Sequence, residues 1–168
     1  MNIRKEEAKD NAFIYALVKK AFASAEHADG NEQDLVNALR NSSAYIPELA
    51  LVAEEDGKIV GHIMFTKAHV GQTEVLALAP LSVLPEYQQK GIGSALIREG
   101  HNKARTLGYG YSVVLGSADY YPRFGYLPAA DFGILSPFDV PKENFMACKL
   151  KETAPILHGL MEYSEAFG

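Results

Sequence analysis

The stretch Gln88-Gln89-Lys90-Gly91-Ile92-Gly93-Ser94 follows an apolar run ending Leu81-Ser82-Val83-Leu84-Pro85 and precedes a helical pattern. Its residue types suit the binding of a phosphorylated ligand. Gly91 and Gly93 let the backbone come close to a ligand with no side chain between. The first amides of the following helix have no intrahelical partner and carry a partial positive charge. A diphosphate fits such a place. A glycine turn that merely joins strand to helix has the same spacing. Two nucleotide loops do not. A Walker loop ends Gly-Lys-Ser/Thr, and here Lys90 precedes the glycine. A dinucleotide fingerprint has a third glycine three residues after the second, and that position is Leu96.

Other reactive side chains are scattered. The histidines are His27, His62, His69, His101 and His158, and none has metal-ligand spacing with a partner, so no metal site is expected. His62 falls in an apolar strand pattern. It reads as a hydrogen-bonded structural histidine, with a cleft-facing orientation as the alternative. Cys148 lies in Phe145-Met146-Ala147-Cys148, a buried strand pattern, and reads as a small core residue. Glu26, Asp29, Glu32 and Asp34 flank the second helix and read as a solvated capping loop.

The chain of 168 residues carries 21 acids against 16 bases, a formal charge of −5. That balance argues against a nucleic-acid or anionic-membrane partner, which would call for a basic face. The single cysteine excludes an intrachain disulfide and fits a reducing, cytoplasmic setting. The opening Met1–Glu7 has no apolar core and does not read as a signal peptide. No apolar run approaches the ~18 residues of a membrane span.

The elements that must position the glycine turn follow from periodicity. A short strand at 2–6 precedes a helix with Phe13, Ile14, Leu17, Val18, Ala21 and Phe22 at helical spacing, capped by Asp10 or Asn11. Residues 24–31 read as a loop, and 31–41 as a second helix with Leu35, Val36 and Leu39 on one side. Strands at 49–54 and 59–65 are joined by Asp56-Gly57, a hairpin signal. Their apolar runs point to a sheet covered on both faces. A long strand spans Thr73 to Val83, with Pro80 marking a bulge or unpaired position inside it. A helix runs from Gly91 to Leu107, buries Ile92, Ala95, Leu96, Gly100, Ala104 and Leu107, and is ended by Gly108. A strand at 111–116 follows, then a helical turn around Tyr120-Tyr121 stopped by Gly125. Residues 127–141 read as an ordered loop and 144–151 as a strand. The tail holds a helical turn or a last strand near Leu160–Tyr163. The whole, residues 1–168, reads as one mixed α/β domain, partly antiparallel.

The run Val83-Leu84-Pro85-Glu86-Tyr87-Gln88-Gln89-Lys90-Gly91-Ile92-Gly93-Ser94-Ala95-Leu96 resembles the acetyl-CoA motif of the GNAT superfamily of N-acetyltransferases, Gln/Arg-x-x-Gly-x-Gly/Ala after a strand ending Val-x-Pro. Tyr121-Pro122-Arg123-Phe124-Gly125-Tyr126 is similar to the second family block, a tyrosine, three residues, then Gly-Phe or Gly-Tyr. The paired tyrosines and long C-terminal part resemble a branch of predicted acetyltransferases of unknown acceptor. The resemblance covers nearly the whole chain. It implies a central, mostly antiparallel sheet with one splayed parallel strand pair and helices on both faces. Backbone groups of Leu81, Ser82 and Val83 would pair with the pantetheine arm of acetyl-CoA. Amides of Gln88, Gln89, Lys90, Gly91, Ile92, Gly93 and Ser94 would take its pyrophosphate, and Tyr121 would protonate the departing sulfur. Tyr120 is the competing tyrosine, and Arg123 and Lys90 either meet cofactor phosphates or are solvated.

The implied reaction is direct attack by a primary amine, of a small molecule or a protein, on the thioester. The family's common glutamate base has no counterpart here. Val75 to Pro80 carries no acid, and Glu74 sits at the strand's far end. The family's asparagine before the catalytic tyrosine is also missing. The acidic 26–34 region corresponds to one that lines the acceptor site in the family. A non-catalytic acyl-CoA-binding domain is the alternative function. Homodimerisation through the C-terminal strand is a further expectation.

Overall fold

The computed structural model of the chain describes residues 1–23 and 30–168. Of the acidic and histidine residues noted above, Glu26, His27 and Asp29 lie outside the described residues. Strand β1 (Asn2–Lys5) is followed by helices α1 (Asn11–Phe22) and α2 (Glu32–Arg40). Next come β2 (Ala50–Glu55), β3 (Lys58–Val70) and β4 (Thr73–Val83). Helix α3 (Ile92–Leu107) and β5 (Tyr111–Leu115) complete the strand–helix–strand unit. The C-terminal part adds β6 (Tyr126–Pro128), β7 (Ile134–Leu135), β8 (Phe145–Lys149) and β9 (Gly159–Glu162).

The sheet runs β1-β2-β3-β4-β5-β8-β6, with β9 joining β3 and β7 joining β9. Along that seven-strand path β4–β5 is the parallel pair, and the other neighbours are antiparallel. The β2–β3 hairpin turns on Asp56 and Gly57, both at positive φ (50° and 78°), as a two-residue hairpin with strand-matching twist requires. β3 continues past the expected end at Phe65 to Val70. Its last residues find partners on both sides, β4 and β9. The stretch 127–141, expected as loop, carries β6 and β7, because β8 and β9 each offer it an open edge. β9 is therefore bonded to β3 on one side and β7 on the other within the chain.

Strand alternation sorts the core into two layers. Ile63, Phe65, Leu76 and Leu78 face α3, whose Ile92, Leu96 and Ile97 are buried against them. Gly100 is small for a reason: a Cβ there would lie 2.2 Å from the Phe65 ring. On the other face Val52 and Met64 meet Ile14 and Val18 of α1 and Val36 and Leu39 of α2. Further along the same face Ala68, Val75, Ala77 and Val113 meet Ile134 and Met161 of the C-terminal segment. Burying one such large aliphatic or aromatic side chain is worth about 1.5–3 kcal/mol.

Two helix ends depart from expectation. Leu107 is 43% and Phe13 67% exposed, because the buried stripes are narrower than the apolar patterns and leave each residue at a helix edge. Asp10 forms no cap bond into α1. Its carboxylate accepts two bonds from Arg4 (2.8 and 3.0 Å) and one from the Glu7 amide (2.8 Å) instead. Gly108, at φ 97°, closes α3 as expected.

Candidate active site

The parallel strands β4 and β5 are paired at only two positions, Leu76 with Ser112 and Ala77 with Val113. Beyond them β4 runs on to Val83, held by β3 alone, while β5 turns toward β8. Among the described residues the edge of Leu78–Val83 facing β5 has no strand partner, so its amides and carbonyls await one. Six residues at about 3.3 Å each make this open edge about 20 Å long. A bulge sits at its start. Ile63 pairs with Leu81 and Phe65 with Leu78, so Met64 on β3 stands opposite both Ala79 and Pro80. Pro80 brings no amide to the ladder, and the Ala79–Pro80 bond is cis. The expected bulge at Pro80 is therefore present where the cleft opens.

The glycine turn lies at the far end of this edge. A single 3-10 turn at Pro85–Tyr87 leads into it. Gln88 shapes the turn: its amide donates to Pro85 O (3.3 Å) and its side-chain Nε2 to Val83 O (3.1 Å). Gln89 and Gly91 take left-handed backbone, φ 63° and 84°, a conformation that glycine adopts without strain. Ala95 is the first amide to bond back, to Gly91 O (3.0 Å). The amides of Gln89, Lys90, Gly91, Ile92, Gly93 and Ser94 make no backbone bond among the described residues. That set of free donors at a helix N-terminus fits a diphosphate. Lys90 lies 5.4 Å and Lys58 5.7 Å from the Tyr87 ring, so two cations flank the turn.

The tyrosine pair packs onto the same turn. A Cβ on Gly93 would come within 2.7 Å of the Tyr120 hydroxyl. The Tyr120 ring meets Tyr121 edge-on at 5.2 Å, and Tyr121 meets Tyr126 at 5.6 Å. Gly116 leaves room for the Tyr121 ring, which a Cβ would approach to 2.5 Å. The Tyr121 hydroxyl is pushed above its ordinary range, first by burial and then by Tyr120. It is a proton donor at neutral pH. Arg123 lies over the Tyr120 ring at 5.3 Å, and with Arg98, His101, Asn102, Arg105 and Phe124 lines a surface hollow of ≈ 330 Å³ beside α3.

The structure thus leads Leu81–Val83 into Gln88–Ser94 and sets Tyr120 beside Gly93, with Tyr121 edge-on behind the Tyr120 ring. It also holds a polar cluster that residue spacing did not announce. On the α1 side of the sheet, buried Glu6 accepts bonds from Arg40 (2.7 and 3.2 Å), the Tyr45 hydroxyl (2.8 Å) and His62 Nε2 (2.8 Å). Burial pushes the Glu6 carboxyl up, but the bonds from His62 and Arg40 outweigh it and hold it down at about 2. The buried side-chain polar atoms without a hydrogen-bond partner among the described residues are His62 Nδ1, Thr66 Oγ1 and Ser82 Oγ. An orphan buried polar group costs about 1–3 kcal/mol. The one legible sign of this cluster was His62 itself, a polar residue within the apolar run 59–65.

Other candidates fall away. The Cys148 thiol is buried and pushed up to about 11 by burial, against a smaller opposing effect of Arg105. It is no nucleophile. Glu74 accepts a bond from Tyr109 (2.8 Å) at the end of β4 remote from the turn. No group of three metal-ligating side chains forms among the described residues.

An open strand edge that leads into a turn of free amides is a place for an extended, phosphorylated ligand. A sequence profile of the acetyltransferase (GNAT) family matches residues 12–126. The uncharacterized N-acetyltransferase YjhQ of Escherichia coli K12 is 42% identical over 152 residues, 88% of this chain and 81% of YjhQ. The uncharacterized N-acetyltransferase YhbS of the same strain is 31% identical over 99% of this chain and 98% of its own. Among solved structures, a GNAT family acetyltransferase from Brucella melitensis in complex with acetyl-CoA superposes with a TM-score of 0.83 at 34% identity, covering 99% of this chain and 97% of that one. E. coli YhbS in complex with CoA gives 0.89 at 30% identity, covering 99% and 91%. The chain belongs to the GNAT family of acetyltransferases. It is an N-acetyltransferase, and the relatives do not favour a non-catalytic acyl-CoA-binding role.

Proposed function

We propose that this enzyme moves the acetyl group of acetyl-CoA directly to a primary amine of a small molecule or protein. The observation that carries the reading is the unpaired edge Leu78–Val83 leading into the free amides Gln89–Ser94. Leu81, Ser82 and Val83 bind the pantetheine arm as an added strand would be bound. Gln89, Lys90, Gly91, Ile92, Gly93 and Ser94 hold the pyrophosphate, with Gln88 fixing the turn from beneath. One strand amide at the bulge can also receive the thioester oxygen as it gains charge.

The amine attacks the thioester carbon, the C–N bond forms and the C–S bond breaks. Tyr121 gives its proton to the sulfur. That Tyr121 packs edge-on against Tyr120, whose hydroxyl stands beside Gly93 of the turn, supports the assignment. The test is acetyl-CoA turnover, read as free thiol, against a library of amines. Tyr121→Phe should lose about 10²–10⁴-fold in kcat, the usual worth of a proton donor, with acetyl-CoA affinity kept. Full activity in that variant, or no turnover in the unaltered enzyme with any amine, sinks the proposal.

A further inference from the structure

The family's usual acid on the central strand is absent, because Ala77 and its neighbours from Val75 to Pro80 are uncharged. The proton that leaves the amine must go elsewhere. Two of the three orphan polar atoms, on His62 and Ser82, mark a route. His62, Met64 and Thr66 alternate onto the α1 side of β3. Ser82 stands directly opposite His62, and Ala77 directly opposite Thr66. Thr66 is therefore level with the point where β4 and β5 part but one strand away from it, while Ser82 is on the open edge beyond the bulge. His62 and Thr66 are fully buried, and Ser82 is 2% exposed. His62 donates from Nε2 to the Glu6 carboxylate, so Nδ1 keeps its lone pair.

We infer that His62 is the positioning residue that receives the acceptor's proton, through the Ser82 hydroxyl and a water, with Glu6 fixing its tautomer. This rests on the acetyl-transfer reading above. Neighbouring strands lie about 4.8 Å apart. A substrate lying along the open edge of β4 is then about 10 Å from β3, with Ser82 between. One hydroxyl and one water span that distance. A buried water is stable where it finds two to four polar partners, and His62 Nδ1 and Ser82 Oγ, on directly opposite residues, supply two.

The balance closes. The amine nitrogen forms its bond to the acyl carbon and loses one proton. Ser82 passes a proton on as it accepts one, and His62 Nδ1 holds it. The thiolate takes its proton from Tyr121, and exchange with solvent then returns one proton to Tyr121 and removes the one on His62, so the products are the amide and free CoA thiol. The charged and titratable groups facing His62 are Glu6, with Arg40 and Tyr45 bonded to the same carboxylate.

The experiment compares the unaltered enzyme with His62→Gln and Ser82→Ala. The probe is the library amine that turns over fastest, or water as acceptor if none does. Expected is a fall of about 10²-fold or more in kcat for His62→Gln, with the KM for acetyl-CoA and the melting curve little changed. A smaller fall in kcat is expected for Ser82→Ala. ¹⁵N resonances of His62 should show a protonated Nε2 and a bare Nδ1. That reading needs neither turnover nor a variant, so a proton on Nδ1 refutes the inference even where His62→Gln fails to fold. Undiminished kcat in a folded His62→Gln, or a proton resident on Nδ1 at neutral pH, overturns the inference. Neither result touches the acetyl-transfer reading, which stands or falls on the unaltered enzyme and Tyr121→Phe.

Discussion

His101 should make this fold acid-sensitive well above the range where carboxylates titrate. It is 3% exposed on α3, with Nε2 3.0 Å from the Tyr126 hydroxyl, which lies 2.8 Å from Ser112 Oγ. Burial, and then the charge of Arg105, push its pKa down from 6.5 to about 4. The fold thus holds the neutral ring, while the unfolded chain takes up a proton as the pH drops through 6.5. Stability is complete above 6.5 and is lost progressively down to about 4, where the folded ring also protonates and the loss levels off. At about 1.4 kcal/mol per pH unit the full loss is about 3 kcal/mol. That is a large part of the ~5–15 kcal/mol that holds a typical domain together. Glu6 begins to destabilise only below its ordinary value of 4.5, so the interval between belongs to His101. Urea titrations from about pH 7 to about pH 5 should show the midpoint falling. His101→Gln, which has no proton to take up, should flatten the slope. Equal slopes in the two proteins would falsify the account.

Three other outcomes follow from the packing and the turn. Gly100→Ala drives a methyl into the Phe65 ring at 2.2 Å and should cost about 1–3 kcal/mol, read as a lower melting temperature. Glu6→Gln leaves buried Arg40 without its ion pair and should cost about 3 kcal/mol at neutral pH. In the unaltered protein the stabilisation from Glu6 is present above 4.5 and lost as the pH falls toward about 2, which acid-unfolding curves would register. Gly91→Ala forces a side chain into φ 84°, a strain of about 1–2 kcal/mol. Acetyl-CoA affinity measured by calorimetry should fall about tenfold, and unchanged affinity would mean the turn is not the phosphate cradle.

The parts of the molecule legible in its sequence were those encoded locally. β4 runs from Thr73 to Val83 as its β-branched and aliphatic pattern indicates, and Pro80 marks the bulge because a missing amide is visible in the residue type alone. The two-residue extent of the β4–β5 pairing was not visible. Register between parallel strands is set across a helix, by packing rather than by neighbours. Phe13 shows the limit of periodicity: it repeats with Leu17 yet stands at the edge of α1, because the width of a buried stripe depends on what it packs against. The Glu6 cluster was hidden for a plainer reason. Glu6 lies 34, 39 and 56 residues from Arg40, Tyr45 and His62, and only the folded sheet makes them neighbours.

The contact of the Tyr120 hydroxyl with Gly93 has a metrological consequence. It sets the glycine turn and the Tyr120-Tyr121 stack side by side. In the proposed reaction the span from the turn amides to Tyr121 is the one the pantetheine arm fills, and the acyl group lies beyond it. Selectivity for the acyl chain must therefore be written elsewhere, in the walls between β4 and β5, and could be altered there without disturbing the fit of the donor.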